Sequence, residues 1–187
     1  MLAWLDLETT GLEPKEDDIL EIALMITEDE AIVPGIFAYT STILPIRKSF
    51  QEMEELVQNM HTTSSLWNDV MWFGQTVENV QDEIVYVLQK YDLKNVPLCG
   101  SSVHFDRAFL KEHMPRVERL FSYRNVDVST LKELAIRWGY PVPEKADAHR
   151  AGPDILESIE HLNFYRKNMI WPGPELKKSF PGWATVS

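Results

Sequence analysis

Residues 2–11 have the sequence LAWLDLETTG, an apolar run that carries two acids and ends at a glycine. The run predicts a β-strand, on which residues two apart point to the same side. Asp6 and Glu8 therefore lie side by side, while Leu5 and Leu7 face a core. Two carboxylates this close repel each other unless a cation lies between them, and a hard divalent cation is the natural partner of their oxygens. The alternative is an ordinary solvated strand end.

The rest of the chain predicts an α/β domain with a mixed sheet. The predicted strands are 2–7, 19–27 and 32–44, which form an antiparallel meander, followed by 96–99 and 124–128. The predicted helices are 50–58, 76–91, 104–112, 130–138 and 153–167. We expect one domain over residues 1–170 and an extended or fraying tail over residues 171–187, which are rich in Pro, Gly and aromatic side chains.

The 187 residues carry a net charge of −11. Proteins that bind long nucleic acids through their phosphates present basic surfaces, so the negative net charge argues against a long polymer as substrate. It is compatible with a short nucleotide held through divalent cations. No apolar run approaches the roughly 18 residues of a membrane-spanning helix, and the N-terminus does not resemble a secretory signal. The single cysteine, Cys99, excludes an internal disulfide, is expected in the core and fits a reducing cytoplasm.

Three further residues are candidates for chemistry. Asp106 lies in CGSSVHFDRAFL, just after a predicted short strand, and by itself is equally compatible with an acid on a helix surface. In ADAHRAGPDI, Gly152 and Pro153 place a helix start between His149 and Asp154. The helix dipole favours an ionised acid in the first turn, and a loop histidine suits a general base because histidine changes charge near neutral pH. The alternatives are a helix-capping acid and a surface histidine.

Four carboxylates and one histidine together match the needs of phosphodiester hydrolysis. Two metal ions about 4 Å apart can clamp both the attacking water and the leaving oxygen. In this hypothesis His149 takes the proton from the water, while the metals stabilise the charge of the transition state. The predicted metal ligands are Asp6, Glu8, Asp106 and Asp154.

The motifs DLETTG, VHFDRAFL and HRAGPD resemble, in this order and spacing, the three exonuclease motifs of the DEDDh family. The resemblance implies a ribonuclease H-like fold, with a mixed five-stranded sheet and helices on both faces. It also implies two Mg²⁺ or Mn²⁺ ions per site and 3′→5′ release of nucleoside 5′-monophosphates. Over residues 1–170 the chain is similar to oligoribonucleases, most closely in FSYRNVDVSTLKELAIRW (121–138) and in MHTTSSL (60–66).

The similarity to oligoribonucleases implies binding of RNA of two to five nucleotides, dinucleotides above all. Leu12 is expected to be the wedge between the two bases, and His61 a further substrate contact. Tyr123 is expected to reach into the site of a partner subunit, which implies a homodimer. Leu12 and Tyr123 are also compatible with simple core packing.

A cap on the 5′ phosphate, which keeps longer chains out, is a further implication of the similarity. The expected cap residues are Ser102, Arg124, Ser129 and Thr130. A guanidinium can bind a phosphate through two hydrogen bonds, and hydroxyls are useful phosphate donors. Ser129 and Thr130 are also compatible with a role as helix caps only.

One position departs from the oligoribonuclease pattern. Oligoribonucleases typically carry a base-stacking tryptophan five residues before the position of His61, where this chain has Leu56. Stacking of a base on an aromatic ring is worth about 1–3 kcal/mol, so affinity or length preference is expected to differ. Trp67 lies nearby in sequence but does not match that position, and is expected to pack in the core or on the surface.

Two other hypotheses stay open from the sequence. A broader DEDDh exonuclease would trim longer single-stranded RNA or proofread DNA, and it would shorten long strands as readily as dinucleotides. A non-catalytic binding module would keep the fold and only hold nucleotides, although the presence of all five catalytic residue types argues against it.

Overall fold

The structure, a computed structural model, describes residues 1–29, 35–144 and 149–170. Its strands are β1 (Leu2–Thr9), β2 (Ile19–Thr27), β3 (Phe37–Thr42), β4 (Val96–Gly100) and β5 (Phe121–Asp127). Its α-helices are α1 (Glu55–Thr63), α2 (Leu66–Phe73), α3 (Val77–Lys90), α4 (His104–His113), α5 (Pro115–Glu118), α6 (Val128–Trp138) and α7 (Ala151–Tyr165). A 3₁₀ turn (Phe50–Glu52) precedes α1, and a π-helical turn (Arg166–Ile170) follows α7.

The five strands form one mixed sheet in the order β3-β2-β1-β4-β5. The first three strands pair antiparallel, which confirms the predicted meander, whereas β4 runs parallel to both β1 and β5. β2 covers the predicted residues 19–27, and β1 continues two residues past its predicted end at Leu7. The parallel pairing of β1 with β4 ends at Trp4 and Cys99, before the acidic end of β1.

Helices cover both faces of the sheet, as predicted. Leu5 and Leu7 pack with residues of α3, α4 and α5 in the larger core. Trp4 packs with residues of α6 and α7 in the second core. Because side chains alternate along a strand, Asp6 and Glu8 lie on the same side of β1 as Trp4, towards α7. One strand thus sends its leucines into one core and its acids towards the helices of the other.

The segment between β3 and α3 differs from the prediction. The helix predicted at 50–58 is wrong in its bounds, because the backbone of Glu54 is extended (ψ 145°) and separates the 3₁₀ turn from α1. The predicted helices do not include α2 (LWNDVMWF), a helix of only eight residues whose buried residues, Leu66 and Val70, lie four positions apart. The exposed side of α2 carries Met71, Trp72 and Phe73.

The start of α6 also lies earlier than predicted, at Val128 rather than at residue 130. The cause is Asp127, whose carboxylate accepts the backbone N–H of Ser129 (3.0 Å) and caps the helix. Ser129 and Thr130 lie inside the first turn. The interpretation of these two residues as the caps of the helix is therefore wrong.

The start of α7 confirms the predicted placement of two site residues. α7 begins at Ala151 rather than at Pro153, because the Ala151 N–H donates to the carboxylate of Glu21 on β2 (2.8 Å). His149 still precedes the helix, and Asp154 lies in its first turn. The sequence therefore placed His149 in a loop and Asp154 on a helix, as the structure does.

Further predictions concern Cys99, the C-terminal tail and the absence of a membrane-spanning helix. Cys99 is fully buried, as expected, and burial raises the pKa of its thiol to about 12. The predicted tail at 171–187 and the start of the predicted strand 32–44 lie outside the described residues. Within the described ranges, every helix is too short or too polar to cross a membrane.

Candidate active site

Asp6, Glu8 and Asp154 come together at the carboxyl end of β1. Strand alternation places Asp6 and Glu8 on one side of β1, and α7 packs across β1 and β2 with Asp154 in its first turn. Each residue offers an oxygen atom, and these atoms all lie within 4.8 Å of one another. Glu8 is buried, and the other two are half-buried. Oxygen donors gathered this closely, and partly withdrawn from water, fit a hard divalent cation.

The fourth predicted ligand, Asp106, lies beside β1 and is separate from that group of three. It is in the first turn of α4, and its Oδ1 accepts the backbone N–H of Leu7 (3.0 Å). The residue is only 5% exposed, and burial raises its pKa to about 7, with the charge of Asp127 adding to the rise. Since Leu7 lies between Asp6 and Glu8, Asp106 lies at the same end of β1 as the group of three but outside the 4.8 Å grouping of their oxygens.

His149 precedes α7 with a φ of +48°, a left-handed conformation that is uncommon for residues other than glycine. It lies near His61 of α1, which is fully buried. His61 Nε2 donates to the carbonyl of Thr9 (2.9 Å), and Nδ1 has no partner among the described residues. Burial lowers the pKa of His61, and the charge of His149 lowers it further. His61 supports the end of β1 through its hydrogen bond to Thr9. Its side chain has no exposed surface, so a direct contact with substrate requires local movement and stays a prediction.

A hydrogen-bonded cluster of Ser102, Asp127 and Ser129 lies at the ends of β4 and β5. Asp127 Oδ1 accepts the Ser102 N–H (2.9 Å) and the Ser129 hydroxyl (2.6 Å). The Ser102 hydroxyl donates to Ser129 Oγ (3.3 Å). Sequence reasoning missed Asp127, although its place directly before α6 was a usable signal, because aspartate is a preferred N-cap residue. Two of the predicted cap residues are thus brought together by a carboxylate.

Leu12, Tyr123 and Arg124 are surface residues. Tyr123 and Arg124 lie on β5, the edge strand, and the Arg124 guanidinium lies over the Tyr123 ring at 5.2 Å from its centroid. Tyr123 is 82% exposed and Leu12 is 73% exposed. The interpretation of Leu12 and Tyr123 as core residues is therefore wrong. Thr130 is also exposed, on the first turn of α6.

A cavity of about 300 Å³ joins the carboxylates to the hydroxyl cluster. Asp6 and Asp154 line one side of it, and Ser102 and Ser129 line the other. Its volume lies at the lower end of the range for small-molecule sites, about 300–1,000 Å³. The lining also includes residues to which the sequence gave no role, among them Lys132, Glu157, Ser158, His161 and Tyr165. Lys132 brings a positive charge to a cavity that is otherwise acidic.

Leu56 and Trp67, the two positions considered for base stacking, differ in exposure. Leu56 on α1 is 71% exposed, so a base can reach it, but it offers no aromatic face. Trp67 packs against Phe50, with ring centroids 5.0 Å apart, in a small core beside α2. The prediction that Trp67 is a packing residue is confirmed, and it does not replace the missing tryptophan.

Comparisons with known proteins agree with the motifs. A sequence profile of the exonuclease family matches residues 3–162. The oligoribonuclease of Leifsonia xyli subsp. xyli is 38% identical, over 99% of this chain and 92% of the relative. The oligoribonuclease of Cutibacterium acnes is 39% identical over 93% and 88%, and that of Neisseria meningitidis serogroup A is 38% identical over 92% and 94%.

Solved structures show the same fold. The zinc-bound complex of E. coli exonuclease I with single-stranded DNA superposes with a TM-score of 0.64 at 17% identity, over 89% of this chain and 40% of that chain. A product-bound exonuclease I gives a TM-score of 0.67 at 15% identity, over 96% and 45%. This chain spans less than half of exonuclease I, and the likeness establishes a ribonuclease H-like fold. Together with the profile match and the identity to curated relatives, it shows that the chain belongs to the oligoribonuclease family of 3′→5′ exoribonucleases.

Proposed function

We propose that this protein hydrolyses short oligoribonucleotides, dinucleotides most readily, from the 3′ end to nucleoside 5′-monophosphates. The observation that carries the proposal is the meeting of Asp6, Glu8 and Asp154 within 4.8 Å, at one side of a cavity that hydroxyls line on the other. The net charge of −11 supports a short substrate, because long nucleic acids are held through basic faces.

The acidic residues are the proposed ligands of two Mg²⁺ or Mn²⁺ ions, namely Asp6, Glu8, Asp106 and Asp154. Bound ions supply Lewis-acid stabilisation of the charge that develops on the phosphate. His149 is the proposed general base and accepts the proton of the attacking water at an imidazole nitrogen. Its place in the loop directly before the helix of Asp154 supports this division of roles.

The hydroxyl cluster is the proposed cap on the 5′ phosphate of the substrate. Ser102 and Ser129 are already oriented by Asp127, so little ordering is needed when a phosphate binds. Arg124 and Thr130, both exposed, complete the cap, and the planar guanidinium suits bidentate phosphate binding. A cap that encloses the 5′ end favours a dinucleotide over a longer chain.

Exposed apolar residues support two further parts of the proposal. Leu12 is the proposed wedge between the bases, because it stands 73% exposed just after the acidic end of β1. Tyr123, 82% exposed on an edge strand, is proposed to reach into the site of a second copy, so that the active form is a homodimer acting in the cytoplasm. His61 is kept as a proposed substrate contact that requires local movement of α1.

A time course on 5′-labelled RNA of two, five and twenty nucleotides, with Mg²⁺ and with EDTA, tests the proposal. We expect fast, metal-dependent conversion of the dinucleotide to monophosphates, with the twenty-nucleotide chain nearly untouched. The exposed Leu56, which lacks an aromatic face, favours a second candidate, a broader exonuclease on longer single strands. Equal or faster shortening of the long chain would select that candidate. A dinucleotide complex without turnover would instead indicate a binding module.

A further inference from the structure

Arg150, the residue after the proposed base, makes polar contacts with three other residues, none of which the motifs predicted. Its Nε and Nη2 donate to Glu21 Oε1 of β2, at 3.1 and 2.8 Å. Its Nη1 forms an ion pair with Asp69 of α2 (2.9 Å) and donates to the carbonyl of Ser64 (3.3 Å). One side chain thus ties the loop of His149 to the sheet and to the turn between α1 and α2.

Glu21 makes this connection rigid. Its side chain is 1% exposed, and a carboxylate so far from water requires a charged or hydrogen-bonding partner. Its Oε1 accepts from Arg150 Nη2 (2.8 Å), and its Oε2 accepts both Arg150 Nε (3.2 Å) and the first N–H of α7, from Ala151 (2.8 Å). Glu21 also stands opposite Glu8 in the β1–β2 register. The buried carboxylate therefore fixes the start of α7 relative to the strand that carries two of the metal ligands.

His149 needs such support because of its backbone. A φ of +48° is strained for a residue with a Cβ, and such conformations persist only where the surrounding structure imposes them. The contacts of Arg150 hold in place the residue directly after His149. The same contacts reach Ser64, three residues from His61, so the two histidines share one anchor.

We propose that Arg150 is a positioning residue for hydrolysis, which holds His149 in its proton-accepting place through Glu21, Asp69 and Ser64. The inference rests on the proposed role of His149 as general base. The side chain of Arg150 contacts Glu21, Asp69 and Ser64, and its carbonyl accepts the N–H of Asp154 (3.1 Å). Its effect on rate therefore passes through the position of the loop and of the start of α7.

A double-mutant cycle with Arg150→Ala and His149→Ala on a dinucleotide tests this route. We expect Arg150→Ala to lower kcat roughly 100-fold, the loss that a small misplacement of a catalytic group causes, with KM nearly unchanged. In the His149→Ala background the same change is expected to lower kcat no further, because the two residues act as one unit. Arg150→Lys, which keeps the charge but not the fork, is expected to recover part of the rate.

Arg116→Ala is the matched control, since it removes an exposed arginine and its ion pair with Asp82, away from the site. It should leave kcat unchanged. Thermal unfolding and Mn²⁺ binding of each variant separate a misplaced base from a damaged fold. Where Arg150→Ala fails to fold, Asp69→Ala breaks only the more exposed arm, and a loss on the order of fivefold, again absent in the His149→Ala background, is expected.

Equal losses in both backgrounds, or a rise in KM at constant kcat, would overturn the inference while leaving the proposed function intact. Full activity of His149→Ala would instead remove the proposed role of His149 as general base, on which the inference rests. Absence of metal-dependent dinucleotide hydrolysis by the unaltered protein would remove the proposed function itself. The two failures are therefore distinguished within one set of variants.

Discussion

On one side of the cavity Asp6, Glu8 and Asp154 bring three carboxylates within 4.8 Å, whereas on the other side Ser102 and Ser129 share the single carboxylate of Asp127. We call these the carboxylate side and the hydroxyl side. Like charges dominate the first, so it requires cations to be stable. Donors and acceptors are already matched on the second, so it is organised before any ligand arrives. The difference supports the proposal that metal controls the chemistry of one side and that the preorganised hydroxyls limit substrate length on the other.

Removing a ligand from the carboxylate side should have the largest effect. For Asp154→Asn we expect kcat on a dinucleotide to fall about 10³-fold or more, because the metals supply several kcal/mol of transition-state stabilisation and about 1.4 kcal/mol is tenfold in rate. Calorimetry should show weakened Mn²⁺ binding. Asp82→Asn, at an exposed acid of α3, is the control and should behave as the unaltered protein. Retained activity in Asp154→Asn would contradict the assignment of this side.

Arg124→Ala tests the hydroxyl side. A hydrogen bond to a charged group is worth about 1.5–3 kcal/mol, so we expect kcat/KM on a 5′-phosphorylated dinucleotide to fall roughly 10- to 100-fold. A twenty-nucleotide RNA should lose much less, because its 5′ end does not occupy the cap. Arg137→Ala, at the far end of α6, is the matched control. An equal loss of kcat/KM on short and long RNA would contradict the proposal that this side of the cavity caps the 5′ phosphate.

Leu56→Trp asks whether the hydroxyl side alone sets the length preference. The position is 71% exposed, so an added ring can stack on a base without disturbing a core. With stacking worth about 1–3 kcal/mol, we expect KM for dinucleotides to fall by about fivefold, the lower end of that range. Met71→Trp, at an exposed position of α2, is the control. An unchanged KM in Leu56→Trp would mean that bases do not reach α1.

Asp106 provides the most specific effect, which is on stability in the absence of metal and not on the rate. Burial raises its pKa from 3.8 to about 7, so between these values the folded state binds more protons than the unfolded state. Stability from this group is therefore lost as pH rises through that window. In EDTA, we expect Asp106→Asn to gain stability over the unaltered protein from about pH 4 to about pH 7, measured by urea unfolding. A difference that stays constant with pH would contradict the burial of a titrating carboxyl.

Local sequence was enough for the carboxylate side. Strand alternation put Asp6 and Glu8 together, and the Gly152–Pro153 signal put Asp154 on a helix and His149 before it. These features depend on residues a few positions apart, whose geometry is fixed by backbone period and helix capping. The same local rules missed α2, which at eight residues is shorter than the window of about 11–18 residues over which a helical period is recognised.

The exposure of side chains and the pairing of residues distant in sequence could be read only from the folded structure. From the sequence, Leu12 and Tyr123 were compatible with either a core or a surface position. Tyr123 is exposed because β5 is the edge strand of the sheet, which only the folded structure shows. The capping role of Asp127 and the pairing of Glu21 with Arg150 were not predicted from the sequence. The latter two are 129 residues apart and meet only because α7 packs across β2.

The sequence by itself determined the type of chemistry at this site, because the carboxylates and the histidine follow from strand and helix periods that span only a few residues. The tertiary structure decided which residues hold these groups in place and which stand in solvent, because burial and ion pairing depend on elements that are distant in the chain and adjacent only in the fold.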